Sequence, residues 1–323
     1  MRKLLLLFAI ILPTIASAQL ETSVAGFYQI VGSGRIVYNF NQGWRFNRGD
    51  AAGAETREFD DSRWQVVCAP HTVQLEPAEA SGCRNFQGIA WYRKHFTVPQ
   101  DMAGKIILVH FEAIMGKQSV YVNGRLVKVH LGGYLPITID LSKEGVHAGD
   151  HCVIAVMTDN SDDGTYPPGK KQTALDFCYH GGMYRDVWLI GKSPVAITDA
   201  IESNKVAGGG VFIHYGDISD KSVRVYMNVE VGNTTASSSK ANVLARIKDR
   251  NGKIVKTVKQ TLVINANDES TAILQTVITH PQLWSPECPY LYNVEFRVTV
   301  DGKVVDGGMI HAGIRKAEFR GKD

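Results

Sequence analysis

Apolar and polar residues alternate with a period of two along most of this chain. Val223, Val225, Met227, Val229 and Val231 alternate with Arg224, Tyr226, Asn228 and Glu230. Val294, Phe296, Val298 and Val300 interleave with Asn293, Glu295, Arg297 and Thr299 in the same way. Successive side chains of a strand point to opposite faces, so the pattern predicts strands buried on one side. Turn dipeptides part the runs. Asn123-Gly124 lies between residues 119–122 and 125–129, Asn251-Gly252 between 243–249 and 253–258, and Asp301-Gly302 follows Val300. Such pairs favour hairpins because both central residues tolerate positive φ. No stretch carries the period of a long amphipathic helix. Many short strands with frequent turns predict an all-β chain of antiparallel sandwiches, not a parallel α/β sheet.

The runs fall into two groups, as a chain of this length predicts. Asp186-Val-Trp-Leu-Ile190 reads as the closing strand of a first sandwich, and residues 195–201 open a second. The boundary therefore falls near Ser193-Pro194. This divides the chain into 1–18, 19–194, 195–318 and a short linker at 319–323. Gly208-Gly-Gly210 reads as a mobile surface loop, and residues 234–239 as a polar turn.

The first eighteen residues have a different composition. Arg2 and Lys3 precede an apolar run from Leu4 to Leu12, and Ala16-Ser17-Ala18 offers a small-residue cleavage site. This is the pattern of an export signal. The run is shorter than the roughly 20 residues that span a bilayer. The mature chain is expected to start at Gln19, in the periplasm or outside the cell, with no membrane partner after cleavage. A formal net charge of +3, spread along the chain, argues against a nucleic-acid partner, which needs a concentrated basic surface. Five cysteines read as mostly buried thiols, with Cys68 and Cys83 the nearest pair in sequence.

Several chemistries lack their motifs. There is no G-x-S-x-G elbow, no H-E-x-x-H pair and no G-x-x-x-x-G-K loop. Ten histidines lie singly, so no metal site is expected. By chemistry alone, an exported all-β chain reads as a binding module.

A series of motifs sharpens this. Gly43-Trp-Arg-Phe46, Asp61-Ser-Arg-Trp64 and Ala69-Pro-His71 come first. Ala90-Trp-Tyr-Arg-Lys-His-Phe-Thr-Val-Pro99 follows, then Val122-Asn-Gly124 with Gly132-Gly-Tyr-Leu-Pro136. Gly181-Gly-Met-Tyr-Arg-Asp-Val-Trp188 and Leu283-Trp-Ser-Pro-Glu-Cys-Pro-Tyr-Leu-Tyr292 complete the series. In this order, over residues 37–319, the chain resembles the front half of family 2 glycoside hydrolases, the β-galactosidase and β-glucuronidase family.

The resemblance implies a jelly-roll, galactose-binding-like sandwich followed by an immunoglobulin-like sandwich. It also implies a catalytic barrel that this chain lacks, since Gly313-Ile-Arg-Lys-Ala-Glu-Phe319 is similar to the lead into it. The parent would be a retaining glycosidase, β-galactosidase-like, without an organic cofactor. Its substrate would be a carbohydrate; a structural or subsite cation and a homo-oligomer are compatible with it. Matching by position, the resemblance makes Asn85 and Asp176 substrate-binding residues, with no catalytic residue in this chain. A carboxamide donates and accepts, and a carboxylate accepts from neighbouring hydroxyls. The surroundings of Asp176, Phe177-Cys178-Tyr179-His180, depart from the family's aromatic-rich pattern. The family's acid/base Glu follows an Asn, and no Asn-Glu dipeptide occurs here. Glu112, Glu202 and Glu230 read as strand residues. Trp91, Tyr92, Phe96, Trp188 and Trp284 read as core or seam aromatics, and Tyr184-Arg185-Asp186 as a buttress between the domains. The rival reading is a self-standing carbohydrate-binding protein.

The signal pattern makes a direct prediction. Mass spectrometry of exported protein should show loss of the first eighteen residues, leaving Gln19 first. An intact Met1 in soluble exported material would overturn it.

Overall fold

A computed structural model describes residues 28–75, 86–175, 177, 180–318 and 321. In the first half the strands are β1 (Ile36–Asn39), β2 (Trp44–Arg48), β3 (Gln65–Val67), β4 (Ile89–Thr97) and β5 (Ile106–Phe111). They are followed by β6 (Lys117–Val122), β7 (Arg125–Leu131), β8 (Ile137–Asp140), β9 (His151–Asp159) and β10 (Val187–Lys192). In the second half come β11 (Val195–Ile197), the short helix α1 (Ala200–Ser203), β12 (Val211–Gly216), β13 (Ser222–Asn233) and β14 (Ser239–Lys248). β15 (Ile254–Ile264), β16 (Asp268–Thr279), β17 (Tyr292–Val300) and β18 (Lys303–Ala312) finish the chain. The strand pairs are all antiparallel, so the all-β expectation holds.

In the first sandwich, a four-stranded sheet ordered β1-β10-β5-β8 faces a six-stranded sheet ordered β3-β2-β4-β9-β6-β7. Trp44, Tyr92, Val109, Phe111, Ile137 and Ile154 fill the space between them. Trp44 has no exposed surface, and its indole N–H donates to the Phe40 carbonyl at 3.0 Å. In the second sandwich, β13 pairs along its whole length with β16 on one side, and with β11 and β12 on the other. The facing sheet runs β15-β14-β17-β18. Val223, Val225, Met227, Val229 and Val231 all point into this core, opposite Val294, Phe296 and Val298. The period-two pattern is thus the burial pattern.

The turns hold in part. Asn123-Gly124 and Asp301-Gly302 both take positive φ and close two-residue hairpins. At Asn251-Gly252 only the glycine does, and the loop is longer, closed by Asp249 N–H donating to Lys253 O at 2.9 Å. Gly208-Gly-Gly210 is not a mobile surface loop. Gly209 and Gly210 are buried against α1, where a Cβ on Gly209 would stand 2.8 Å from Ser203 Cβ. Close approach, not freedom, is what glycine supplies here. Glu202 lies on α1 rather than in a strand. Of the described cysteines only Cys152 is buried, with its thiol pushed up to about 12 by desolvation. Cys68 and Cys288 are exposed because they sit in connections beyond strand ends; Cys83 and Cys178 lie outside the described residues.

The outer side of the six-stranded sheet is covered by residues 50–64. Arg93, wholly buried, donates from Nε to Asp61 Oδ2 at 2.8 Å and from Nη1 to the carbonyls of Ala54 and Thr56. Its guanidinium also lies over the Phe59 ring at 5.4 Å. The Asp61-Ser-Arg-Trp64 motif therefore exists to close over the strand that carries Arg93.

The other sheet meets the second sandwich. Residues 28–34 cross to β18, where Tyr28 and Met309 exchange backbone hydrogen bonds at 2.7 and 2.9 Å. Gly34 takes φ +84° there, and a Cβ would stand 2.5 Å from the Val305 carbonyl oxygen. Arg35 then grips Asp306 with two bonds, Nε to Oδ1 at 2.5 Å and Nη2 to Oδ2 at 3.0 Å. Asp306, without exposed surface, also accepts from Ile197 N–H at 2.7 Å. Lys192 donates to Ile197 O at 3.0 Å. Asp186, read as a buttress between domains, lies at the far end of β10 and accepts from Asn41 at 2.7 Å inside the first sandwich.

Removing one partner of a buried pair strands the other charge, which costs about 3–5 kcal/mol. Asp306→Ala should therefore destabilise the chain by about 3 kcal/mol in urea unfolding, and Arg35→Met with Asp306→Leu by clearly less. A change below about 1 kcal/mol for Asp306→Ala would show that the seam does not depend on the pair.

Candidate functional site

β4 begins and β9 ends at the same edge of the first sandwich, and several loops gather there around Asn160. Asn160 is 2% exposed. Its Nδ2 donates to Phe86 O at 2.8 Å, and its Oδ1 accepts from Gly88 N–H at 2.9 Å. One carboxamide thus fixes both sides of the residue pair that enters β4. Asp162 continues the work: Oδ1 accepts from Gln87 Nε2 and from Gln172 N–H, both at 2.8 Å. Leu175 N–H in turn donates to Gln172 O at 3.1 Å.

The returning segment packs on the same hub. Val73 N–H donates to Gly181 O at 2.9 Å, His71 N–H to Met183 O at 2.7 Å, and Met115 N–H to Gly182 O at 3.0 Å. The double glycine is required by space. A Cβ at Gly181 would stand 2.8 Å from Asn160 Cγ, and one at Gly182, with φ +114°, would stand 2.5 Å from the Tyr92 hydroxyl. That hydroxyl is 2.9 Å from His71 Nδ1. It receives a hydrogen bond from the Met183 backbone, which leaves its own proton for the imidazole. Burial drives the Tyr92 phenol upward and pulls His71 below its ordinary value, so His71 is neutral at pH 7.

Asn85 and Asp176 themselves lie outside the described residues. Their chain neighbours do not. Phe86 is held by Asn160, and Leu175 is tied through Gln172 to Asp162, so the anchors of both loops converge on one end of the sandwich. Phe177, next to Asp176, is 47% exposed, and Leu75 is more exposed still. Sequence reasoning missed Asn160 and Asp162, whose one signal is the polar run Asp159-Asn-Ser-Asp-Asp-Gly164 directly after an apolar strand. It named His71 and Tyr92 within motifs without joining them.

The aromatics behave mostly as core. Trp91, Tyr92 and Trp188 are buried, while Phe96 and Trp284 are partly so. Trp188 donates from its indole to Glu112 Oε1 at 2.9 Å, which explains that buried carboxylate. Among the described residues no group of three or more His, Cys, Asp or Glu could hold a metal ion. No helix among them is long and apolar enough to cross a membrane. What the described residues offer is a hydrogen-bonded base at one end of the sandwich, to which Phe86 and Leu175 are tied.

Known proteins share the fold of this chain. The family profile "Glycosyl hydrolases family 2, sugar binding domain" matches residues 54–194, and "Glycosyl hydrolases family 2" matches residues 209–315. A β-glucuronidase of Formosa agariphila is 30% identical over 306 residues, covering 90% of this chain and 30% of that protein. A β-galactosidase of Thermoanaerobacter pseudethanolicus is 29% identical over 288 residues, 89% of this chain and 36% of its own length. Among solved structures, a Bacteroides uniformis β-glucuronidase 2 superposes with a TM-score of 0.77 at 26% identity, covering 87% of this chain and 33% of that one. A β-glucuronidase from glycoside hydrolase family 2 gives 0.76 at 28% identity, covering 89% and 31%. The chain spans about a third of the length of the curated relatives it matches. It belongs to glycosyl hydrolase family 2, carrying that family's sugar-binding sandwich followed by its immunoglobulin-like sandwich.

Proposed function

We propose that these 323 residues are the sugar-binding front of an exported, retaining glycoside hydrolase that cleaves O-glycosyl bonds, a β-galactoside first among its substrates. The observation that carries this reading is the pair of family profiles in the family's own order. Retention needs two carboxylates about 5–5.5 Å apart, one forming a glycosyl-enzyme bond and the other serving as acid, then base. In this reading that pair comes from chain beyond residue 323. Carboxylates that meet within the described residues are engaged otherwise: Glu230 and Glu269 share the Lys205 ammonium. The part of this chain is to hold substrate through Asn85 and Asp176, from loops anchored at Asn160 and Asp162. No organic cofactor enters the reaction.

A panel of nitrophenyl β-glycosides tests it. The chain alone should give the background rate, and the same chain continued through its barrel should turn over the β-galactoside. Turnover by the purified chain alone would sink the two-part reading. Glycan binding by the chain with no active continuation would favour a self-standing binding protein instead.

Asp176 tests the division of labour. A carboxylate that waits for sugar costs little stability to remove, since surface substitutions stay within about 0.5 kcal/mol. One that anchors a turn costs about 1–3 kcal/mol. Asp176→Ala should barely move the Tm of the chain, and should raise KM once the barrel is restored. A large loss of Tm with unchanged kinetics would make Asp176 a turn residue.

A further inference from the structure

Between the two sandwiches lies a cavity of about 280 Å³ whose residues have no role in the reading above. Its walls are apolar: Ile201 of α1, Val211 of β12 and Ile310 of β18. Its polar groups are His110 of β5, Thr198 and Asp199, together with Arg35, which is paired with Asp306. His110 stands on the outer face of the four-stranded sheet, opposite Trp188 and Thr138. Its Nδ1 is 2.9 Å from Thr138 Oγ1. Among the described residues Nε2 has no hydrogen-bond partner, although the ring is largely covered and lines the cavity. Asp199 caps α1 through Oδ1, which accepts from Ile201 N–H at 3.0 Å and Glu202 N–H at 2.9 Å. A carboxylate has about four acceptor sites, so Oδ2 keeps its capacity for another donor.

We propose that this cavity is a second carbohydrate site, one that takes a single neutral hexose at the seam between the domains. A pyranose has an apolar C–H face and a rim of hydroxyls, and the cavity has the complementary halves. Ile201, Val211 and Ile310 meet the face, while Asp199 and His110 meet the rim. The volume lies just below the roughly 300–1,000 Å³ of drug-sized pockets, which suits one ring. Burial pulls His110 below its ordinary value, against the opposing fields of Asp199 and Glu112, so the imidazole is neutral and can donate or accept. The one cation that lines the cavity among the described residues, Arg35, is engaged by Asp306, so a sugar carboxylate meets no uncommitted positive partner there. An acidic sugar is therefore disfavoured against a neutral one. The inference rests on the residues of the seam and is independent of the proposed function.

Isothermal titration of the full chain with galactose, glucose and glucuronate tests it. The expected result is millimolar, one-to-one binding of a neutral hexose with glucuronate at least about tenfold weaker. Ile201→Trp, which fills the cavity, should abolish binding. Asp199→Asn keeps a good helix cap and should weaken binding about tenfold through the lost charged acceptor. If the tryptophan variant fails to fold, the asparagine variant decides. Three results would overturn the proposal: no saturable binding of either neutral hexose, unchanged affinity in Asp199→Asn, or binding that survives Ile201→Trp and vanishes in Asp176→Ala.

Discussion

A carboxylate without water must have its charge answered by protein alone, and Asp306 is in that position. Two guanidinium bonds from Arg35 and one backbone N–H from Ile197 meet it. Arg35 directly precedes the first strand, Ile197 ends β11 and Asp306 itself lies in β18, so the chain can satisfy Asp306 only when all three are in place. Lys192 adds a second cation nearby, and burial together with the Arg35 charge pulls its pKa down. Desolvating so many charges makes such a cluster a poor source of net stability. What it imposes is geometry. A shift of β18 by one residue against the first sandwich would leave the carboxylate facing the wrong side of the sheet.

From that constraint the rest of the first sandwich follows. Its four-stranded sheet meets the second sandwich, with Lys192 donating to the Ile197 carbonyl, while residues 28–34 run along β17 and β18. Its six-stranded sheet is covered in turn by residues 50–64, held down by Arg93 and Asp61. Both outer faces are thus partly occupied, with Leu126, Val129 and Leu131 of β7 left exposed, and the loops that hold substrate in the proposed reading emerge at an end of the sandwich. The end chosen is where Asn160 binds Phe86 and Gly88, and where Gly181 and Gly182 let the returning segment approach it.

The strands were legible because one-sided burial writes itself into alternate residues. β13 and β17 show it without interruption, and Asn123-Gly124 and Asp301-Gly302 carry the φ values that their hairpins need. Legibility failed where a residue serves a partner distant in sequence. Asp306 pairs with Arg35 across 271 positions, and nothing in Val-Val-Asp-Gly-Gly marks it as buried. Asn160 reads as an ordinary turn residue until Phe86 and Gly88 are placed beside it. Gly208-Gly-Gly210 misled for the related reason that glycine signals both freedom and close packing, and only α1 decides between them. Family resemblance supplied Asn85 and Asp176; local pattern had no means to single them out.

In the proposed reading, positioning explains why so much polar chemistry stands behind Asn85 and Asp176. A hydrogen bond to a sugar hydroxyl discriminates only if its donor is held before the sugar arrives, since ordering a loop on binding consumes the same free energy. Asn160 has both ends of its carboxamide committed, and Asp162 ties the two loop bases together through one oxygen. Asn160 is buried, whereas Asp162 is exposed. The Tyr92–His71 contact completes the base from below, with burial keeping the phenol protonated and the imidazole neutral, so the support does not change charge near neutral pH. Within that base Asn160, Tyr92 and His71 are neutral, and one oxygen of the Asp162 carboxylate is spent on two N–H donors. In the proposed reading, that fixed base is what lets the sandwich hold substrate for an active site supplied elsewhere in the protein.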